Sequence, residues 1–181
     1  QSCDVFFYEI ALKTGINKIA KISREFGLGL PTGINLPGEK SGLIPDRKWK
    51  LDVKKQVWRP GETIIAGIGQ GYVLATPIQL ALMTARIANG GKKIKPTLLK
   101  SPILQASNAN SVKVSEENLN IIKRAMEKVS LDEFGTGRNF RLGIKGVEMA
   151  GKTGTVQVRR ISTKERESEE GVIKNEDRIW E

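Results

Sequence analysis

Lys152-Thr153-Gly154-Thr155 is the stretch of this chain whose residue types could do the most chemistry. A lysine, a hydroxyl residue, a glycine and a second hydroxyl residue stand there without a gap. Val147, Met149 and Ala150 lead in and Val156 and Val158 follow, an apolar pattern of period two that predicts an extended strand. On such a strand Lys152 sets a positive charge. Thr153 and Thr155 add hydroxyl donors, and Gly154 removes the side chain that would block a ligand's backbone. A strand edge of this kind can pair with an extended peptide and hold its terminal carboxylate. A solvated strand with an incidental lysine has the same local sequence, so the rest of the chain has to decide.

Composition narrows the chemistry. The chain has 181 residues, 39% hydrophobic and 28% charged, with one cysteine and no histidine. That length suits one domain with a real core. Without histidine, a Ser-His-Asp or Cys-His mechanism within this chain is excluded and a zinc site is improbable. Proton transfer falls to Lys, Asp, Glu, Tyr or hydroxyl relays. Cys3 alone forms no internal disulfide. The net charge is +10, with Arg47, Lys48, Lys50, Lys54, Lys55 and Arg59 crowding one segment and Lys92, Lys93 and Lys95 another. This permits attraction to nucleic acid, but no nucleic-acid motif accompanies it, and the reading is a solvated basic face. No apolar run is long enough to span a bilayer. The chain opens on Gln1-Ser2-Cys3-Asp4 and closes on Arg178-Ile179-Trp180-Glu181. Both ends read as interior sequence, so the expectation is a segment of a longer protein.

The positioning elements follow from periodicity and caps. Residues 3–14 carry Val5, Phe6, Phe7, Tyr8, Ile10, Ala11 and Leu12, which predicts a largely buried helix stopped by Gly15, with Ser2 or Asp4 as its cap. Residues 16–26 place Ile16, Ile19, Ala20 and Phe26 on one helical face. From residue 30 to 60 the chain is rich in Pro and Gly and reads as ordered turns and short extended pieces. Residues 64–74 read as a glycine-spaced apolar turn. Gly67-Ile68-Gly69-Gln70-Gly71 lacks the Lys-Ser/Thr ending of a phosphate loop. Thr76-Pro77-Ile78-Gln79 predicts a capping box opening a helix over 77–89. Ser115 caps a further helix over 116–129. A glycine-rich stretch, Phe134 to Gly146, leads to the Lys152 segment. Residues 159–181 are densely charged and read as a mobile loop.

Taken together, these stretches resemble the transpeptidase domain of class B penicillin-binding proteins of the cell-elongation type. Ser2-Cys3-Asp4 with the apolar helix after it resembles the family's second motif. Gly69-Gln70-Gly71 through Thr76-Pro77 to Asn89-Gly90-Gly91 is similar to a signature between motifs, and Lys152-Thr153-Gly154-Thr155 looks like the third motif. The second motif is more often Ser-x-Asn, and here Asp4 stands in its third position. The nucleophile motif of the family, Ser-x-x-Lys, is absent: no serine of this chain has lysine three residues later.

The resemblance implies an α+β fold of the penicillin-binding protein/β-lactamase-like serine acyltransferase type, present as mostly its helical part plus the third-motif strand. Residues 1–158 would form the C-terminal portion of the domain, and 159–181 would lead to further strands. It implies a serine peptidoglycan D,D-transpeptidase that cross-links stem peptides and is a target of β-lactams. The alternative is a non-catalytic β-lactam-sensing or partner-binding relative. Ser2 would relay a proton. Asp4 would hold the neighbouring lysine or the substrate amide. Lys152 would supply charge, Thr153 and Thr155 would bind the substrate carboxylate, and the backbone at Thr155 would complete an oxyanion hole beside Gly154. Plain N-capping by Ser2 or Asp4 is the competing reading. No cofactor and no nucleic acid is implied. The implied partners are a membrane-embedded glycosyltransferase and elongation-complex proteins. The implied place is the bacterial inner membrane, through an N-terminal anchor outside this chain, with the domain facing the periplasm or cell exterior.

Overall fold

The computed structural model describes residues 2–99 and 110–156; the charged stretch 159–181 lies outside the described residues. Among the described residues six α-helices carry the architecture: α1 (Asp4–Thr14), α2 (Ile16–Glu25), α3 (Arg47–Trp49), α4 (Pro60–Gly67), α5 (Pro77–Ala88) and α6 (Glu116–Leu131). Gly15 separates α1 from α2 at φ 78°, a left-handed conformation that a side chain would resist. Among the described residues no helix is long and apolar enough to cross a membrane.

α1 packs chiefly against α4. Gly67 makes the approach possible, because a Cβ there would stand 2.4 Å from the Ala11 Cβ. Ile16, Trp58 and Ala66 form the buried core beside this crossing, with Tyr72 and Val73 against it. Fully burying a side chain such as Ile16 contributes about 1.5–3 kcal/mol. The Trp58 indole N–H is satisfied by the Thr63 hydroxyl at 2.8 Å.

Polar side chains fix the long excursion after α2. Gln79 of α5 is 0% exposed. Its Nε2 donates to Leu30 O at 2.7 Å and to Ser41 O at 2.8 Å, while its Oε1 accepts from Thr76 N at 3.1 Å. One side chain thus completes the α5 capping box and binds both ends of the segment 30–41. Leu43 and Leu74 add an antiparallel bridge. Arg24 of α2 reaches Asp46 at 2.8 Å, and Asp46 caps α3 by accepting from Trp49 N at 2.7 Å.

Four expectations need correction. The segment 30–60 is not free of helix, because it contains α3 and a π turn, Lys50–Lys54. Of the turn expected over 64–74, residues 64–67 instead belong to α4, which runs from Pro60 to Gly67. Pro60 occupies the first helical position and Glu62 accepts from Arg59 N at 2.7 Å, which is half of a capping box. Lys50 belongs to no solvated face. It is 3% exposed and pairs with the Glu62 carboxylate, because an isolated buried ammonium would be too costly. Finally, α1 is not largely buried: Val5 and Phe6 remain 65% and 57% exposed and only Ala11 is buried. Its apolar residues ring the helix, whereas α4 covers one side.

Candidate active site

The C-terminal end of α6 is the platform for the Lys152 segment. Gly151 N donates to Met126 O at 3.0 Å, and the buried Ser130 hydroxyl donates to Met149 O. Arg141 closes the same helix end by donating to the carbonyls of Ser130 and Leu131. Among the described residues the expected strand is not formed. A strand exists by pairing, and among the described residues 149–156 pair with no neighbouring strand. Helix-end carbonyls and a serine hydroxyl take the place of ladder partners.

Lys152 meets Ser2 across the whole length of the chain. Its Nζ donates to Ser2 Oγ at 2.8 Å, the juxtaposition a shared cleft requires of them. The same ammonium donates to Thr153 O at 2.7 Å and to Thr153 Oγ1 at 3.2 Å. An ammonium has three N–H donors, so each one has an acceptor. Ser2 is therefore not a helix cap. Cys3 holds the N-cap position of α1, without a side-chain bond. Asp4 is the first residue of α1, where its charge suits the helix dipole. It makes no side-chain hydrogen bond or ion pair among the described residues. Asp4 is thus the candidate of the second motif that makes no hydrogen bond or ion pair with Lys152.

Two contacts at the site were not foreseen. Thr136 Oγ1 lies 3.1 Å from Thr153 Oγ1. Gln70 Nε2 donates to Thr155 O at 3.2 Å. Signals for both existed: a hydroxyl between two glycines at Gly135-Thr136-Gly137, and a polar residue inside the glycine-spaced turn at Gln70. Gly135 and Gly137 are buried against α6. A Cβ at Gly135 would stand 2.4 Å from Val129 O, and Gly137 N donates to Val129 O at 2.8 Å. Only glycine lets this turn sit close enough to carry Thr136 to Thr153. A Cβ at Gly154 would meet no protein atom within 4 Å, so packing does not require glycine there.

Chemically, a lysine charge, three hydroxyls and one amide converge on an open surface. The set can hold an anion and pass a proton between oxygens. Among the described residues no group of three or more His, Cys, Asp or Glu side chains is placed to hold a metal ion.

Known proteins are similar to this chain in sequence and in fold. The family profile described as the penicillin binding protein transpeptidase domain matches residues 1–175. The peptidoglycan D,D-transpeptidase MrdA of Acinetobacter baumannii is 38% identical over 176 residues, which cover 93% of this chain and 26% of that relative. The chain thus spans about a quarter of the length of this curated relative. Penicillin-binding protein 2 (PBP2) of Helicobacter pylori, solved as a complex with MreC, is similar with a TM-score of 0.77 and 38% identity, covering 86% of this chain and 28% of that one. Pseudomonas aeruginosa PBP2, solved in complex with WCK 5153, is similar with a TM-score of 0.70 and 40% identity, covering 75% of this chain and 32% of that one. The fold is that of these transpeptidase domains, represented mostly by helices with little strand. Profile, relatives and fold agree over most of the sequence: this chain belongs to the penicillin-binding protein transpeptidase domain family.

Proposed function

We propose that this chain supplies the second-motif and third-motif side of a peptidoglycan D,D-transpeptidase, with residues 1–158 as the C-terminal portion of the transpeptidase domain. The observation that carries the reading is the 2.8 Å contact between Ser2 Oγ and Lys152 Nζ. It joins two motif residues that have no local reason to meet.

The nucleophile is the serine of a Ser-x-x-Lys motif, which this chain does not contain. That serine attacks the D-Ala-D-Ala carbonyl of a stem peptide, the peptide C–N bond breaks and D-alanine leaves. The nucleophile's proton passes to the motif lysine, and Ser2 relays it to the leaving nitrogen. An amine of a second stem then attacks the ester and restores the serine. Because Lys152 donates to Ser2 Oγ, the Ser2 proton is left to point elsewhere, as a relay needs. Thr153 and Thr155 bind the substrate carboxylate beside the Lys152 charge. Gly154 leaves room for the substrate backbone, and the Thr155 N–H stabilises the oxyanion. Asp4 acts on the motif lysine or the substrate amide. β-Lactams enter as mimics of the donor.

The relatives support a setting for this reaction. The H. pylori protein was solved with MreC, and we assign this chain the same class of partners: elongation-complex proteins with a membrane-embedded glycosyltransferase. The domain would face the periplasm or cell exterior, held by an N-terminal membrane anchor.

Labelling of the full-length protein that carries this chain with a fluorescent penicillin tests the reading. A serine outside residues 1–181 should be acylated. Lys152→Ala should slow acylation about 10- to 150-fold, the equivalent of one charge-assisted hydrogen bond of about 1.5–3 kcal/mol. Ser2→Ala should slow it through loss of the relay. Stable labelling of a serine within this chain, or an unchanged rate in Lys152→Ala, would overturn the assignment.

A further inference from the structure

Thr153 has one hydroxyl proton and two lone pairs. Lys152 Nζ, which can only donate, already points at its Oγ1 from 3.2 Å. The second close neighbour of that oxygen is Thr136 Oγ1 at 3.1 Å. Either hydroxyl could donate to the other. A bound carboxylate removes the choice, because it accepts only. Thr153 must then send its single proton to the carboxylate, and Thr136 must donate to Thr153. With both lone pairs filled, by Lys152 and by Thr136, the Thr153 proton has one direction left.

We infer that Thr136 is a positioning residue for this site, whose hydroxyl fixes Thr153 as the hydrogen-bond donor to a carboxylate-bearing ligand. The inference rests on the reading above, in which Thr153 receives the substrate carboxylate. Thr136 touches no substrate itself. It acts through Thr153, and the fold holds it rigidly for that purpose. Gly137 N is bonded to Val129 O at 2.8 Å, and a Cβ at Gly135 would stand only 2.4 Å from the same carbonyl oxygen. The segment bearing Thr153 is tied to the same helix through Gly151 N and Met126 O at 3.0 Å. One helix end therefore sets the spacing between the two hydroxyls, and movement of α6 carries both together.

The test compares Thr136→Val, which keeps the shape and loses the hydroxyl, with Thr136→Ser, which keeps the hydroxyl. Both are made in the full-length protein. Acylation by benzylpenicillin and by its methyl ester is measured in competition with a fluorescent penicillin. Thr136→Val should weaken pre-acylation binding of benzylpenicillin roughly 2- to 13-fold, the equivalent of one neutral hydrogen bond, with the limiting acylation rate little changed. Thr136→Ser should restore parental binding. The ester, with no charged carboxylate to receive the Thr153 proton, should react equally with parent and Thr136→Val. Parental behaviour of Thr136→Val, failure of Thr136→Ser to restore it, or an equal loss for acid and ester would each overturn the inference. If Lys152→Ala slows acylation while Thr136→Val does not, only the role of Thr136 falls. If the parent is not acylated at all, the transpeptidase reading falls and this inference with it.

Discussion

Substituting Gly67 by alanine should separate α1 from α4 and loosen the site at a distance. A Cβ at Gly67 would stand 2.4 Å from the Ala11 Cβ, with Phe7 O at 3.6 Å and Ala11 Cα at 3.8 Å. Two carbons rest about 3.5–4.0 Å apart, so the helices must part by on the order of 1 Å at this point. Ala11 offers no rotamer that swings its methyl aside. Backbone strain plays no part, because Gly67 is not among the glycines of positive φ. Overpacking of this kind costs about 1–3 kcal/mol. The better helix propensity of alanine returns at most about 1 kcal/mol, and less at the last residue of a helix. The expected net loss is about 1–2 kcal/mol. Denaturant unfolding of Gly67→Ala, Ala11→Gly and the double variant reads it directly. Ala11→Gly removes the methyl that clashes, so the two changes should couple favourably by about 1 kcal/mol or more. Acylation of Gly67→Ala should also slow, since only Cys3 separates Ser2 from α1 and a shift of the helix draws Ser2 from Lys152. Parental stability of Gly67→Ala, or strict additivity in the double variant, would refute the packing argument.

Three further outcomes follow from other contacts. Gln79→Leu should destabilise by about 2 kcal/mol in denaturant unfolding, because Leu30 O, Ser41 O and Thr76 N all lose their hydrogen bond to the buried Gln79 amide; a change within experimental error would show that water replaces the amide. Burial pushes the Glu62 carboxyl up, but the Lys50 ammonium and the Arg59 N–H outweigh it and hold it below its ordinary 4.5. A carboxylate held low stabilises the fold above its unfolded pKa, and that contribution disappears as pH falls through the lower folded value. Glu62→Gln should therefore flatten the fall of the melting temperature in acid below about pH 4.5, and an unaltered acid limb would contradict the pairing. Gln70→Leu should slow acylation roughly 2- to 13-fold by freeing Thr155, while the melting temperature stays near parental because the contact is exposed; equal losses in both would make Gln70 merely structural.

Local signals in the sequence reached local structure. Thr76, Pro77 and Gln79 announced α5, and Ser115 announced α6, because a cap is chemistry within four residues and needs no knowledge of the rest of the fold. α4 escaped the same reading although Pro60 and Glu62 mark its start. Gly67 was read as part of a glycine-spaced turn, and it is instead there so that Ala11 can approach. Its reason lies in another helix. Lys50 was legible as one basic residue among six, since the carboxylate that buries it sits twelve residues away on α4. α1 was read as buried because its residues are apolar. Apolarity sets the demand for cover, and the packing of other elements decides whether it is met.

The site obeys the same division. That Lys152 could hold a carboxylate followed from residue types alone. That Ser2 would join it did not, because 150 residues separate the pair, and only the resemblance to a family placed them together. Thr136 and Gln70 were singled out on neither ground, although Gln70 lies in the signature between the motifs. Neither lies in one of the two motifs, and a hydroxyl or amide acquires a role only through the oxygen it meets. What made them discoverable is satisfaction of donors and acceptors. Lys152 uses its three protons on Ser2 and Thr153, so one more donor on Thr153 Oγ1 fixes the direction in which Thr153 itself donates, and Thr136 is the hydroxyl within reach. The argument runs from a count of protons to a residue seventeen positions away, and it stands or falls with the Thr136→Val and Thr136→Ser pair.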